Sequence, residues 1–296
     1  MATETEEELT HVEPEDDVKM TIWEHLGELR SRLMKAALGL IGGAVVCWTF
    51  REKLLAWLTV PYTNAWNETF KEQAARGERP ELQTLAPADA FVNYMQLALV
   101  GGVILAAPVI FYQLWAFISP GLYSREKRYI VPFVLFSSTL FGSGVAFAYY
   151  VALPFSFPFF FSLLGQVGGV TLQTRPTMEY YLDFVEHMLL AFGFVFELPL
   201  FIGFLALAGI VTPMQLIRFS RYAIVASFVV GAFVTPGPEI SSQIAVSGAL
   251  IALYFLSVGL SFIVARKKDS GDGDGDGDDK TKKKKKKKKK EKNAEA

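Results

Sequence analysis

The charged positions of this chain are bunched, and long apolar stretches lie between the bunches. No Asp, Glu, Lys or Arg occurs between residues 90 and 124, nor between 129 and 174. Uncharged apolar runs of about 20 residues are long enough to cross a bilayer as helices. Six spans are predicted on this basis, at 33–50, 91–118, 130–153, 185–209, 222–234 and 243–264. An amphipathic stretch runs into the first, with Ile22, Leu26, Leu29 and Leu33 at helical spacing and Glu24, Glu28 and Arg32 on another face. Residues 51–90 read as a polar, helix-forming segment broken at Pro61. Pro108 falls inside the second span, where neighbouring helices can satisfy the carbonyl it frees. Pro154 and Pro158 make 154–161 an aromatic-rich interfacial loop. A loop holding Pro213, Arg218 and Arg221 precedes the fifth span, which Pro236 and Pro238 terminate. That span reaches only about 20 Å against a hydrocarbon core of roughly 30 Å, so tilt or local thinning must accommodate it.

Composition agrees with this pattern: 51% of residues are hydrophobic and the mean hydropathy is +0.29. The net charge of -1 averages an acidic N-terminal tail with a C-terminal tail carrying lysines at 282–290. It therefore says little about partners. Orientation follows from the basic residues near membrane ends. Six spans put Lys19, Arg30, Arg32, Lys35, Arg125, Lys127, Arg128, Arg218, Arg221, Arg266, Lys267 and Lys268 on one side. Only Arg51, Lys53, Lys71, Arg76, Arg79 and Arg175 fall on the other. The positive-inside rule thus places both termini in the cytoplasm, with Arg51 and Lys53 as an exception close to the first span. The expected fold is an all-α polytopic membrane domain over 20–265. An acidic tail at 1–19 and a Gly-Asp and poly-Lys tail at 266–296 flank it. The acidic N-terminus has no cleavable signal-peptide pattern, so the first apolar segment is expected to direct membrane insertion. The single cysteine, Cys47, leaves no intrachain disulfide to form.

Glu197 is the strongest chemical signal, because it lies within an otherwise apolar span. A carboxylate there costs about 2.5–3.5 kcal/mol on insertion scales and marks function by default. The bland alternative is a protonated carboxyl hydrogen-bonded to a neighbouring helix. Glu186 precedes it by about three turns and shares its face, which outlines a polar path along the helix. Glu28 and Glu126 read individually as solvated residues, Glu28 with Arg32 as an i,i+4 partner. Together they place two carboxylates on one membrane face, where guanidinium groups would be received by charge-assisted contacts. His11, His25 and His187 lack metal-ligand spacing, and no HExxH, Walker A or GxSxG string occurs. Neither an enzyme, a cofactor, a metal site nor nucleic-acid binding is expected. The lysine run reads either as a contact to anionic lipid or as a solubilising tail.

The strings HLGELRSRL at 25–33, APVIFYQLWAFISPGLY at 107–123 with Glu126-Lys127-Arg128 after it, FGFVFELP at 192–199 and TPGPEISSQ at 235–243 resemble, in order, motifs of the TatC family. TatC proteins are the large subunits of the twin-arginine protein translocase. The resemblance covers about 20–265 and implies a receptor for signal peptides with consecutive arginines. With TatB and TatA, such a receptor exports folded proteins across the bacterial inner membrane on the proton-motive force. By this likeness Glu28 and Glu126 would take the two arginines, with Arg30 and Phe117 shaping the site. Glu197 would be the family's intramembrane glutamate, Glu239 and Gln243 its last outer-loop polar pair, and the fifth helix the dock for TatB or TatA in an oligomeric complex. The family usually carries Asp where this chain has Glu239. Two other readings remain at this point. One is a proton-coupled small-solute transporter using Glu197 and Glu186 as a relay, although no internal repeat is visible. The other is a purely structural assembly protein.

Overall fold

A computed structural model describes residues 22–118, 130–172, 175–207, 209–234 and 240–272. Almost all of them are helical. Helix α1 (Ile22–Thr49) joins the amphipathic stretch and the first span into one continuous rod. Three short helices follow on the polar segment: α2 (Arg51–Leu58), α3 (Val60–Thr69) and α4 (Lys71–Ala75). Pro61 occupies the first turn of α3, where its missing N–H is no loss, so the break falls just before it. Helix α5 (Pro87–Ile118) carries Pro108 within it.

Helix α1 packs along α5 through small residues. A Cβ added to Gly43 would lie 2.7 Å from the Gly102 carbonyl oxygen, and one added to Gly102 would lie 2.6 Å from the Ala44 nitrogen. With lipid on the outside there is little hydrophobic drive between helices, so such backbone contact supplies the packing. Elsewhere α1 presents Leu33, Leu38, Ile41 and Val45 outward, as a bilayer-facing helix does.

The third span departs from expectation. Helix α6 (Ile130–Phe147) passes through a π turn at Ala148–Ala152 into α7 (Leu153–Ser162). Residues 154–161 are therefore helical and not an interfacial loop. Pro154 lies in the first turn of α7, directly after the wider π turn, so it interrupts no regular ladder. A small antiparallel hairpin, β1 (Gly165–Val167) and β2 (Val170–Leu172), follows. Gly168 at φ 60° and Gly169 at φ 86° form its two-residue turn, which needs left-handed backbone at both positions.

The fourth span is two helices. Helix α8 (Met178–Phe196) starts earlier than expected, with Thr177 accepting from the Tyr180 N–H as its N-cap, and takes in Asp183. It stops at Glu197, and α9 (Leu198–Leu207) begins with Pro199 in its first turn. Helix α10 (Pro213–Val234) also starts early, so Pro213, Arg218 and Arg221 are helical residues and not loop. Its 22 residues measure about 33 Å, although its apolar part is the short stretch foreseen. Helix α11 (Ile240–Asp272) returns against α10 and α9 and continues beyond residue 265. The pair closes tightly at Gly231, where an added Cβ would collide with the Ser247 hydroxyl.

Among the described residues, Trp23–Thr49, Pro87–Ile118, Val131–Ser162 and Met178–Ala206 are long and apolar enough to cross a membrane. The chain is thus a multi-pass helical membrane protein. At one end an aromatic cluster of Tyr62, Phe157, Phe161 and Tyr181 fastens α3, α7 and α8 together. The Tyr181 and Tyr149 hydroxyls donate to the Leu58 and Trp57 carbonyls, each at 2.8 Å, and so satisfy acceptors left open at the end of α2.

Candidate functional site

Helix α1 brings Glu28 to the start of the bundle, and the end of α5 brings Phe117 to the same place. The His25 ring, one turn before Glu28, stacks on Phe117 with centroids 4.6 Å apart and planes at 22°. Two of the expected residues thus share one corner. Arg32 forks onto Glu28: its Nε donates to Oε1 at 2.8 Å and its Nη2 to the same oxygen at 2.5 Å. The other oxygen, Oε2, is buried and has no partner among the described residues. The carboxylate is therefore half-committed. One oxygen is pinned in place, and the other is an acceptor that no described residue satisfies. Arg30 is exposed on the same helix. Glu126 and Glu239 lie outside the described residues.

A second polar centre lies deeper. Glu197 sits at the α8–α9 break and so is not mid-helix, although it stays between two apolar helices. The Trp115 indole N–H donates to the Ser137 hydroxyl oxygen at 2.8 Å, and Ser137 is fully buried. That leaves the serine hydrogen for the Glu197 carboxyl, which Ser137 hydrogen-bonds. The other carboxyl oxygen, Oε1, is buried without a partner among the described residues. The chain Trp115–Ser137–Glu197 ties α5, α6 and the α8–α9 break together. Trp115 is two residues from Phe117, so one turn of α5 reaches the surface corner directly and the intramembrane carboxyl through Ser137.

Glu186 and Glu197 do not join. Glu186 pairs instead with α5: the Gln96 side-chain amide donates to its Oε2 at 2.9 Å and to Asp183 Oδ1 at 3.3 Å. Gln243 donates from Nε2 to the Phe228 carbonyl at 3.2 Å and so holds α11 to α10. Among the described residues no group of His, Cys, Asp and Glu could hold a metal ion.

Sequence reasoning did not single out His25, Trp115, Ser137 or Gln96 as site members. His25 and Trp115 stood inside quoted motifs but had no partner assigned. Ser137 gives no signal at all, since serines are common in apolar spans. Gln96 was detectable as an amide inside an uncharged run.

Comparison with known proteins fits this architecture. The family model for TatC, the Sec-independent protein translocase protein, matches residues 24–248. The protein named Sec-independent protein translocase protein TatC from Desulforapulum autotrophicum is 38% identical over 257 residues, covering 87% of this chain and 90% of that relative. The protein of the same name from Aquifex aeolicus is 36% identical over 251 residues, covering 84% and 98%. Among solved structures, one titled as a crystal structure of the twin-arginine translocase receptor TatC superposes with TM-score 0.64 at 34% identity, covering 81% of this chain and 99% of that one.

Proposed function

The chain belongs to the TatC family of Sec-independent protein translocase proteins, and we propose that it is the membrane receptor that captures twin-arginine signal peptides. It is a component of a protein translocase. The proton-coupled small-solute transporter reading finds no support among the relatives. The observation that carries the proposal is the half-committed Glu28. An incoming guanidinium donates to the bare Oε2 while Arg32 keeps Oε1, and the carboxylate enters the contact without losing its position. The second peptide arginine goes to Glu126, with Arg30 and the His25-braced Phe117 ring bounding the corner.

The partners follow from the same reading. TatB and TatA dock on the outward face of α10, and the receptor works as an oligomer in the inner membrane with its termini in the cytoplasm. Its role is binding and positioning, and the proton-motive force drives export of the folded cargo. Glu197 responds to docking through Trp115 and Ser137 rather than by touching the arginines. In a titration of labelled peptide against purified protein, Glu28→Gln should weaken a twin-arginine peptide by at least about tenfold, the low end for a charge-assisted hydrogen bond. It should leave a twin-lysine control unchanged. Equal affinity of wild type and variant for the twin-arginine peptide would refute the assignment.

A further inference from the structure

A cavity of about 530 Å³ lies between α1, α2, α5, α6 and α8. Its wall is almost wholly apolar, with Leu54, Leu97, Ile104 and Phe141 prominent and Cys47 at its edge. This is the size and character of a small-molecule site. The exception in the wall is Glu186. It is 2% exposed, its Oε2 is held by Gln96, and its Oε1 is buried without a partner among the described residues. The other carbonyl-seeking group there, the Ser138 hydroxyl, is spent on the Val134 carbonyl. A carboxyl oxygen buried at an apolar wall is costly unless a donor meets it.

Two cations adjoin the lining residues along the chain. Phe50 and Leu54 line the cavity, and Arg51 and Lys53 alternate with them along the start of α2. Arg51 lies over the rings of Trp48 at 5.0 Å and Tyr94 at 5.7 Å. Tyr94 belongs to the α5 stripe that continues through Leu97, Gly101 and Ile104 along the cavity wall. Arg51 is thus held by its neighbours beside the cavity-lining residues, with Nη1 donating to the Trp48 carbonyl at 3.2 Å, and among the described residues its ion pair to exposed Glu52 is loose at 3.6 Å. These two cations are the ones that break the positive-inside pattern of the chain.

We propose that this cavity binds a zwitterionic aminophospholipid: its phosphate lies against Arg51 and Lys53, its ammonium donates to Glu186 Oε1, and an acyl chain fills the apolar wall. The cavity lies between membrane-spanning helices, where lipid is the solvent, and the headgroup supplies both charges that the site lacks. This assignment does not depend on the export role. The test uses the full chain in mild detergent, exposed to phosphatidylethanolamine, phosphatidylcholine and phosphatidylglycerol with matched acyl chains, and bound lipid is counted by native mass spectrometry. Phosphatidylcholine keeps the charges but has no N–H donors, and phosphatidylglycerol lacks the ammonium. The wild-type protein should retain phosphatidylethanolamine about tenfold over either, the ratio that one charge-assisted hydrogen bond supplies at its low end. Glu186→Gln should reduce that preference to bulk proportions, and Arg51→Gln should lower retention of all three. Equal retention of the three lipids by the wild type would overturn the proposal without reference to any variant. So would an unchanged preference in Glu186→Gln.

Discussion

At the scale of single residues, the carboxylates divide by how much of each is already spoken for. Glu28 keeps one oxygen fixed by Arg32 and one without a partner among the described residues. Glu197 is tied through Ser137 to Trp115. Glu186 leans on Gln96. The sequence alone left Glu28 more bland than functional, because an i,i+4 partner looks like a surface pair. Motif register raised it to a candidate, and the structure adds the asymmetry of the contact, which depends on side-chain rotamers and cannot be seen in spacing. Ser137→Ala removes the donor to Glu197 and leaves the Trp115 indole unpaired in the core. It should cost about 1–3 kcal/mol of stability in a denaturation series in detergent. Glu197→Ala should lower export in vesicles more than it lowers peptide binding, and equal loss of both would contradict the division of roles. Ser137→Thr, which retains the hydroxyl, should lie closer to wild type than Ser137→Ala in both assays.

At the scale of elements, the apolar runs gave the spans, and the errors fell at their ends. Pro154 and Pro158 read as helix breakers, yet both sit in helix because a π turn precedes one and lipid-phase packing tolerates the other. Arg218 and Arg221 read as loop because charge ends a hydropathy window, but a helix can begin in the interface before its apolar part does. The closeness of α1 and α5 was not visible either, since a glycine in an apolar run does not say what faces it. Gly102→Val should be among the most damaging substitutions in the chain. Its branched side chain would have to displace the Ala44 backbone, which would part the two helices that carry Glu28 and Phe117. The expected outcome is loss of folded protein or, if it folds, loss of peptide binding. Gly142→Ala on the same bundle meets nothing within 4 Å and should be neutral by both measures.

At the scale of the whole molecule, the multi-pass helical class follows from hydropathy, and family membership from four strings in register. The corner formed by His25, Glu28 and Phe117 does not, because it needs the end of α5 to arrive beside the start of α1. The topology reading makes its own prediction. Single cysteines placed at residues 20 and 270, in a Cys47→Ala background, should react with an impermeant thiol reagent only from the cytoplasmic side. A cysteine at residue 79 should react only from the other side. Labelling of residues 20 and 270 from opposite sides would remove the six-span arrangement. The central claim is that the α1–α5 corner receives paired arginines. It is tested most directly by photocross-linking a twin-arginine signal peptide to probes placed beside Glu28, Phe117 and Glu126 in the membrane-embedded protein. The account predicts strong adducts at all three, lost in Glu28→Ala and Glu126→Ala while membrane insertion stays intact; unchanged adducts in both variants would contradict it.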